Sequence, residues 1–113
     1  MNCIFCKIIS KEIPSEVLHE APQWIAIRDV RPQAPHHVLL IPRRHVRGLN
    51  DLGASDGALL GDLLLGAAHL AQTLGEAERG YRVVVNTGEN GGQSVGHLHL
   101  HLLAGRALGW PPG

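Results

Sequence analysis

The sequence predicts an α+β domain on a mainly antiparallel sheet, and three observations carry that reading. Short apolar runs rich in branched residues lie towards both ends of the 113-residue chain. Between them one long stretch carries leucine and alanine at three- and four-residue spacing. Adjacent strands with so few helices between them suit an antiparallel arrangement.

The elements follow in order. Residues 7–11 read as a short helical turn closed by Pro14. Residues 17–20 and 24–30 read as strands separated by Pro22, the second dense in Trp, Ile and Val. Residues 31–35 form an extended connector, because Pro32 and Pro35 fix φ and deny helix. Residues 37–41 are nearly all apolar, as expected of a strand covered on both faces, and Pro42 stops it. A polar connector, 43–52, leads to Ser55 as N-cap and Asp56 in the first helical turn. Leu59, Leu60, Leu63, Leu64, Ala67, Leu70, Ala71 and Leu74 then mark one long amphipathic helix ending near Gly75. Residues 81–86 read as a strand, 87–94 as a loop with three glycines, and 95–103 as the last strand. The tail 109–113 is neither helix nor inner strand.

Length and composition bound the function. One domain, 1–113, fills the chain. With 44% apolar and 18% charged residues it is neither a disordered tail nor a coiled coil. Ten basic residues balance ten acidic ones, which removes the electrostatic case for a nucleic-acid or membrane partner. Arg43, Arg44 and Arg47 are too few to alter this and read as a solvated face. The first nine residues do not resemble a secretory leader. The longest apolar stretch, 63–74, is too short and too interrupted to span a bilayer. Two cysteines three apart cannot build a disulfide framework, so the expected setting is the cytoplasm.

Histidine is the oddity, at eight residues. His97, His99 and His101 alternate with Leu98, Leu100 and Leu102. On a strand the leucines take one face and the imidazoles the other, about 7 Å apart. Chance alone yields roughly 0.04 such patterns at this histidine content. The competing bland reading is a solvated face that carries histidine. Two chemical readings remain, a metal site or nucleophilic attack by imidazole on phosphorus. Gly91, Gly92, Gln93 and Ser94 lead directly into the strand. Glycine backbone N–H groups with neutral amide and hydroxyl donors suit a phosphate, and no carboxylate joins the strand.

The run 97–103 resembles the His-φ-His-φ-His-φ-φ signature of the histidine triad (HIT) superfamily. Asn86, the block 91–95, Asp29, the Pro-Gln-Ala-Pro-His-His run 32–37, the block 41–45 and the Trp-Pro-Pro-Gly end are similar to the Hint branch, the purine nucleoside phosphoramidases. The resemblance is collinear from Cys3 to Gly113. It implies a five-stranded antiparallel sheet with one long and one short helix, extended across a homodimer with Trp110 near the partner's site.

It also implies a nucleotide-binding hydrolase cleaving purine nucleoside phosphoramidates or adenylates through a covalent nucleotidyl-histidine. His99 would be the nucleophile, with His101 and His37 about the phosphate and Ser94 near the leaving group. Asn86, Gly92 and Gln93 would surround the phosphate. Asp29 would bind the ribose diol, and Phe5, Ile8, Ile27 and Val30 would wall the base. Taken alone, Asp29 and Asn86 read as turn residues, His37 as a core histidine and the four apolar residues as core. His19, His36 and His69 take no part. Gly96 departs from the pattern, standing where an aromatic residue often precedes the triad. Two other functions compete: a nucleotide-binding protein-interaction module with vestigial catalysis, and a metal protein whose site is the triad itself.

Cys3 and Cys6 have the spacing that lets two thiolates reach one metal. Superfamily members with this pair complete a structural zinc site with two histidines, which here would be His45 and His97. A metal-free pair or a redox pair are the alternatives.

Overall fold

The computed structural model describes residues 3–113; Met1 and Asn2, part of the stretch read as no leader, lie outside them. The first helix, α1, spans Ile4–Ile9, three residues earlier than the reading of 7–11. Its N-cap is Cys3, whose Sγ accepts the Cys6 N–H at 3.3 Å. A thiol is an uncommon cap, which is why the sequence hid the start. The chain leaves α1 through Lys11, in the left-handed region at φ 67°.

Five strands follow: β1 (Val17–Glu20), β2 (Trp24–Arg28), β3 (His36–Pro42), β4 (Tyr81–Val84) and β5 (Leu100–Ala104). They form one sheet in the order β1-β2-β3-β5-β4, antiparallel throughout. The helix α2, Gly57–Thr73, crosses between β3 and β4. Several expected boundaries are corrected. Pro42 ends β3 from inside it, opposite Trp24, at a terminal position where a missing N–H is tolerated. Asp56, not Ser55, precedes α2, and its carboxylate accepts the Gly53 N–H in a 3₁₀ turn. β2 stops at Arg28 and β4 at Val84, two residues short of the expected ends at 30 and 86.

The largest correction concerns β5. Residues 95–99 lie outside the ladder, because β3 offers its last pairing at Leu40 with Leu100. Upstream of that, the Leu98 N–H bonds the Val46 carbonyl in the connector. The alternation of side chains nonetheless persists. Leu98, Leu100 and Leu102 are buried with Trp24, Ala26, Val38 and Leu40 against Leu63, Ala67, Leu70 and Ala71 of α2. A slip of one residue would expose those three leucines, a loss of about 5–9 kcal/mol, so burial fixes the register.

α2 lies close because Gly66 faces Trp24; a Cβ there would meet the indole at 2.4 Å. The opposite sheet face carries Ile25, Ile27, Leu39 and Ile41, covered by Cys3 and Phe5 of the α1 segment. His101, opposite Leu39 in the ladder, and His37 share that second face. The site therefore sits where α1 stops covering the sheet.

Candidate active site and metal centre

Each imidazole has its ionisable nitrogens assigned by what they touch. A carbonyl oxygen can only accept, so His99 Nδ1 carries the proton it donates to the His97 carbonyl at 2.8 Å. In the neutral ring this tautomer has its lone pair on His99 Nε2. Likewise His37 Nδ1 accepts the Gln33 backbone N–H at 3.0 Å, so the His37 proton sits on Nε2. His37 Nε2 lies 2.8 Å from His101 Nδ1 and 3.4 Å from an Asp29 carboxylate oxygen. The shorter contact is the hydrogen bond, and it places the His101 proton on Nε2.

The result is a line of donors: Gln33 N–H to His37, His37 to His101, and a His101 N–H left to donate onward. His99 and His101 are 5.0 Å apart between ring centroids, closer than the expected strand repeat. The His99 ring also meets the Phe5 ring edge-on at 5.0 Å.

Burial keeps this line neutral. Desolvation lowers the His37 pKa, against a raising influence from Asp29. It brings His101 down to about 4, helped by the neighbouring His99 and His37 rings. Both values fall below the ordinary histidine pKa, so the unfolded chain takes up protons in that window that the folded chain refuses. Stability is accordingly complete above about pH 6.5 and falls as pH drops towards 4. Urea midpoints at pH 7 and pH 5 measure the effect, and His101→Asn flattens the slope. A slope unchanged in that variant contradicts the assignment.

His99 and His101, though not His37, line a cavity of about 280 Å³. Asp29 and Ser94 join them on its polar side together with Ser15 and Arg28, and Phe5, Ile8, Ile27 and Val30 are among its apolar walls. Phe5 and Ile27 are also core, as residue type alone suggested, but Val30 is 91% exposed and stands at the surface. Ile4, Ile13, Leu39 and Val95 line the same cavity and were not anticipated. Pairing of Ile27 with Leu39 on one sheet face could have indicated the latter. Asp29 lines the cavity and is also a turn residue, one oxygen accepting the Arg31 N–H at 2.7 Å.

The glycine loop is arranged differently from the expectation. Gln93 Nε2 donates to the Arg47 carbonyl at 2.5 Å and to Val95 O at 3.0 Å, and Gln93 Oε1 accepts from Gly88 N–H. Its amide is thus spent on bracing the loop. Asn86 Nδ2 donates to Gly91 O at 2.7 Å, and Gly92 beside it takes φ 75°. Gly91 admits no side chain, because a Cβ would lie 2.2 Å from Thr87 O. Asn86, Gly92 and Gln93 shape the loop, while Ser94 is the loop residue that reaches the cavity. A larger hollow of about 460 Å³ lies beside Gly48, Gly88 and Gln93, but no triad histidine lines it.

His97 does not join the other two. It is fully buried, and its Nε2–H donates to the Pro42 carbonyl at 2.8 Å. Its Nδ1 therefore turns a lone pair towards Cys3 Sγ at 3.2 Å, Cys6 Sγ at 3.6 Å and His45 Nδ1 at 3.1 Å. Cys6 Sγ and His45 Nδ1 are 3.3 Å apart. All four donor atoms lie within 4.8 Å of one another. Two sulfurs and two imidazole nitrogens at such separations fit a closed tetrahedral zinc site, and the carbonyl bond behind His97 is the usual orienting partner.

A fold and a histidine cluster of this kind define a class, and comparison with known proteins identifies it. The family model described as the HIT domain matches residues 10–108. A HIT family hydrolase from Legionella pneumophila is 51% identical, with a TM-score of 0.97 over 99% of this chain and 100% of that one. A histidine triad nucleotide-binding protein from Candida albicans is 35% identical, with a TM-score of 0.81 over 97% and 83%. A Zn-bound histidine triad family protein from Mycobacterium smegmatis is 30% identical, with a TM-score of 0.80 over 94% and 76%. The chain belongs to the HIT family.

Proposed function

We propose that this protein is a nucleotide-binding hydrolase acting on purine nucleoside phosphoramidates or adenylates through a covalent nucleotidyl-histidine. The observation that carries the reading is the assigned state of His99: Nδ1–H held by a carbonyl, Nε2 unprotonated, in a cavity with an apolar slot and a carboxylate. The apolar slot takes a purine and Asp29 the ribose diol, and the Legionella HIT family hydrolase and the Candida histidine triad nucleotide-binding protein agree with hydrolysis and nucleotide binding.

His99 Nε2 attacks the α-phosphorus while the phosphorus–nitrogen bond to the leaving amine breaks. The amine takes its proton from water by way of the Ser94 hydroxyl. The ring becomes cationic as the new bond forms, and its Nδ1–H bond to the His97 carbonyl strengthens with that charge. His101 Nε2–H donates to a phosphate oxygen, with His37 behind it. The hydroxide left by that proton transfer then attacks phosphorus as the phosphorus–Nε2 bond breaks, releasing the nucleoside monophosphate and returning His99 as neutral imidazole. Rapid acid-free quenching of one turnover with adenosine 5′-phosphoramidate should trap an acid-labile adenylyl group on the protein. Turnover with no such adduct at any quench time sinks the covalent route.

Cys3, Cys6, His45 and His97 would hold a zinc ion, which would supply a tie between α1, the connector after β3 and the approach to β5 rather than reaction chemistry. The Zn-bound Mycobacterium relative supports this. A reducing cytoplasm keeps both thiols available as ligands. The second copy implied by the triad resemblance is supported by β4, a sheet edge, and by Trp110, 83% exposed beside it, with Arg82 5.9 Å from its ring. Light scattering at micromolar concentration should report twice the chain mass; a monomer there refutes the dimer.

A further inference from the structure

We infer that Arg106, outside the cavity and remote from the triad in sequence role, is a positioning residue that sets which nitrogen of His37 carries the proton. The inference rests on the hydrolase reading for its functional meaning, though its physical content stands without it.

The Gln33 N–H is the group that makes His37 Nδ1 an acceptor. Gln33 lies in the connector between β2 and β3, whose own bonds are few. Its side chain turns back to the Arg31 carbonyl at 3.0 Å. What holds the residue from outside is Arg106, whose Nε donates to the Gln33 carbonyl at 2.9 Å, in the peptide that follows the one carrying the N–H and joined to it at the Gln33 Cα. The guanidinium is itself oriented by a second bond, Nη1 to Ala107 O at 3.0 Å. The preceding residue adds a steric stop. Gly105 takes φ 96°, and a Cβ there would lie 2.9 Å from Pro35 Cβ and 3.4 Å from His36 Cδ2. The turn after β5 therefore meets the connector at two points, with a hydrogen bond at its middle, residue 33, and an approach to residue 35 that leaves no room for a side chain at Gly105.

A histidine whose Nδ1 loses its donor is free to move the proton from Nε2 to Nδ1. His37 Nε2 would then be an acceptor facing both the His101 Nδ1 lone pair at 2.8 Å and the Asp29 carboxylate at 3.4 Å. His101 would have to turn or shift its own proton, and the N–H it aims into the cavity would be lost. A single bond 2.9 Å long at the surface thus controls the last donor of a three-residue line. Gln33 and Arg106 carry this through a carbonyl and an N–H of one residue, so residue 33 need not be glutamine, whereas residue 106 must donate.

The test is the ¹⁵N imidazole spectrum of the full-length protein, which distinguishes protonated from unprotonated ring nitrogens at His37 and His101. The wild type should show one His37 form, protonated at Nε2. Arg106→Ala should show a mixture, with kcat for adenosine 5′-phosphoramidate down about 10- to 100-fold and KM nearly unchanged; full loss of tautomer control costs a histidine base about 10⁴-fold elsewhere. Arg106→Lys keeps a donor and should restore most of the single form. Gly105→Ala, which displaces Pro35, should reproduce the mixture with Arg106 intact. A single Nε2-protonated His37 in Arg106→Ala overturns the proposal, as does a wild-type loss that Lys and Ala share equally in both spectrum and kcat. A wild type that turns over no phosphoramidate overturns the hydrolase reading instead, and the spectra still decide the role of Arg106.

Discussion

His99→Ala is expected to lower turnover of adenosine 5′-phosphoramidate by about 10³-fold or more, because no other group in the cavity presents an unprotonated ring nitrogen to phosphorus. His101 Nδ1 is engaged by His37, and His97 Nδ1 faces the cysteines. AMP binding should remain measurable by calorimetry, since Asp29 and the apolar slot are untouched. The variant also loses the edge contact to Phe5, so a thermal melt belongs with the kinetics. His99→Asn fills more of the space and should be as inactive as alanine. Residual activity above a few per cent in either folded variant rejects His99 as the nucleophile.

Protein purified without added metal should carry about one zinc per chain, and Cys3→Ser with Cys6→Ser should carry none. Loss of the ion unties three segments at once: the start of α1, the connector at His45 and the approach to β5 at His97. Metal-binding free energy enters folding free energy directly, so the melting midpoint should fall by about 10 °C or more. Activity at a temperature where the double variant remains folded should be largely kept. Zinc that survives the loss of both cysteines but leaves with His99→Ala would place the metal on the triad and reject the structural site.

Much of this arrangement was legible in the chain because its strongest signal is periodic. Alternation of histidine and leucine from 97 to 102 revealed which side chains enter the core, and Leu98, Leu100 and Leu102 do pack there against α2, although His97 and His99 are buried too, away from it. The extent of β5 was not legible, since a strand ends where its neighbour stops offering bonds, and that depends on where β3 turns away. The start of α1 was hidden by a thiol serving as cap. Gln93 was readable as a donor but not as one already spent, because its acceptor is the carbonyl of Arg47, 46 residues away. Proton positions on His37, His97 and His99 were equally out of reach: two are set by the carbonyls of Pro42 and His97 and one by the N–H of Gln33. Backbone partners of this kind leave no mark in residue identity.

The two-sided stretch 97–102 has a consequence for how such a protein could diversify. Every residue there answers to one of two demands, since the leucines hold the sheet on α2 and the histidines line either the cysteine–histidine cluster or the cavity. Neither set has slack for trial substitutions. The opposite wall of the cavity is freer: Ile4 is 49% exposed and Val30 91% exposed. Both lie outside the sheet and can change size without disturbing the imidazoles. New ligand preferences would therefore be expected to arise by drift along this rim of the slot, with the chemistry carried forward unaltered beneath it.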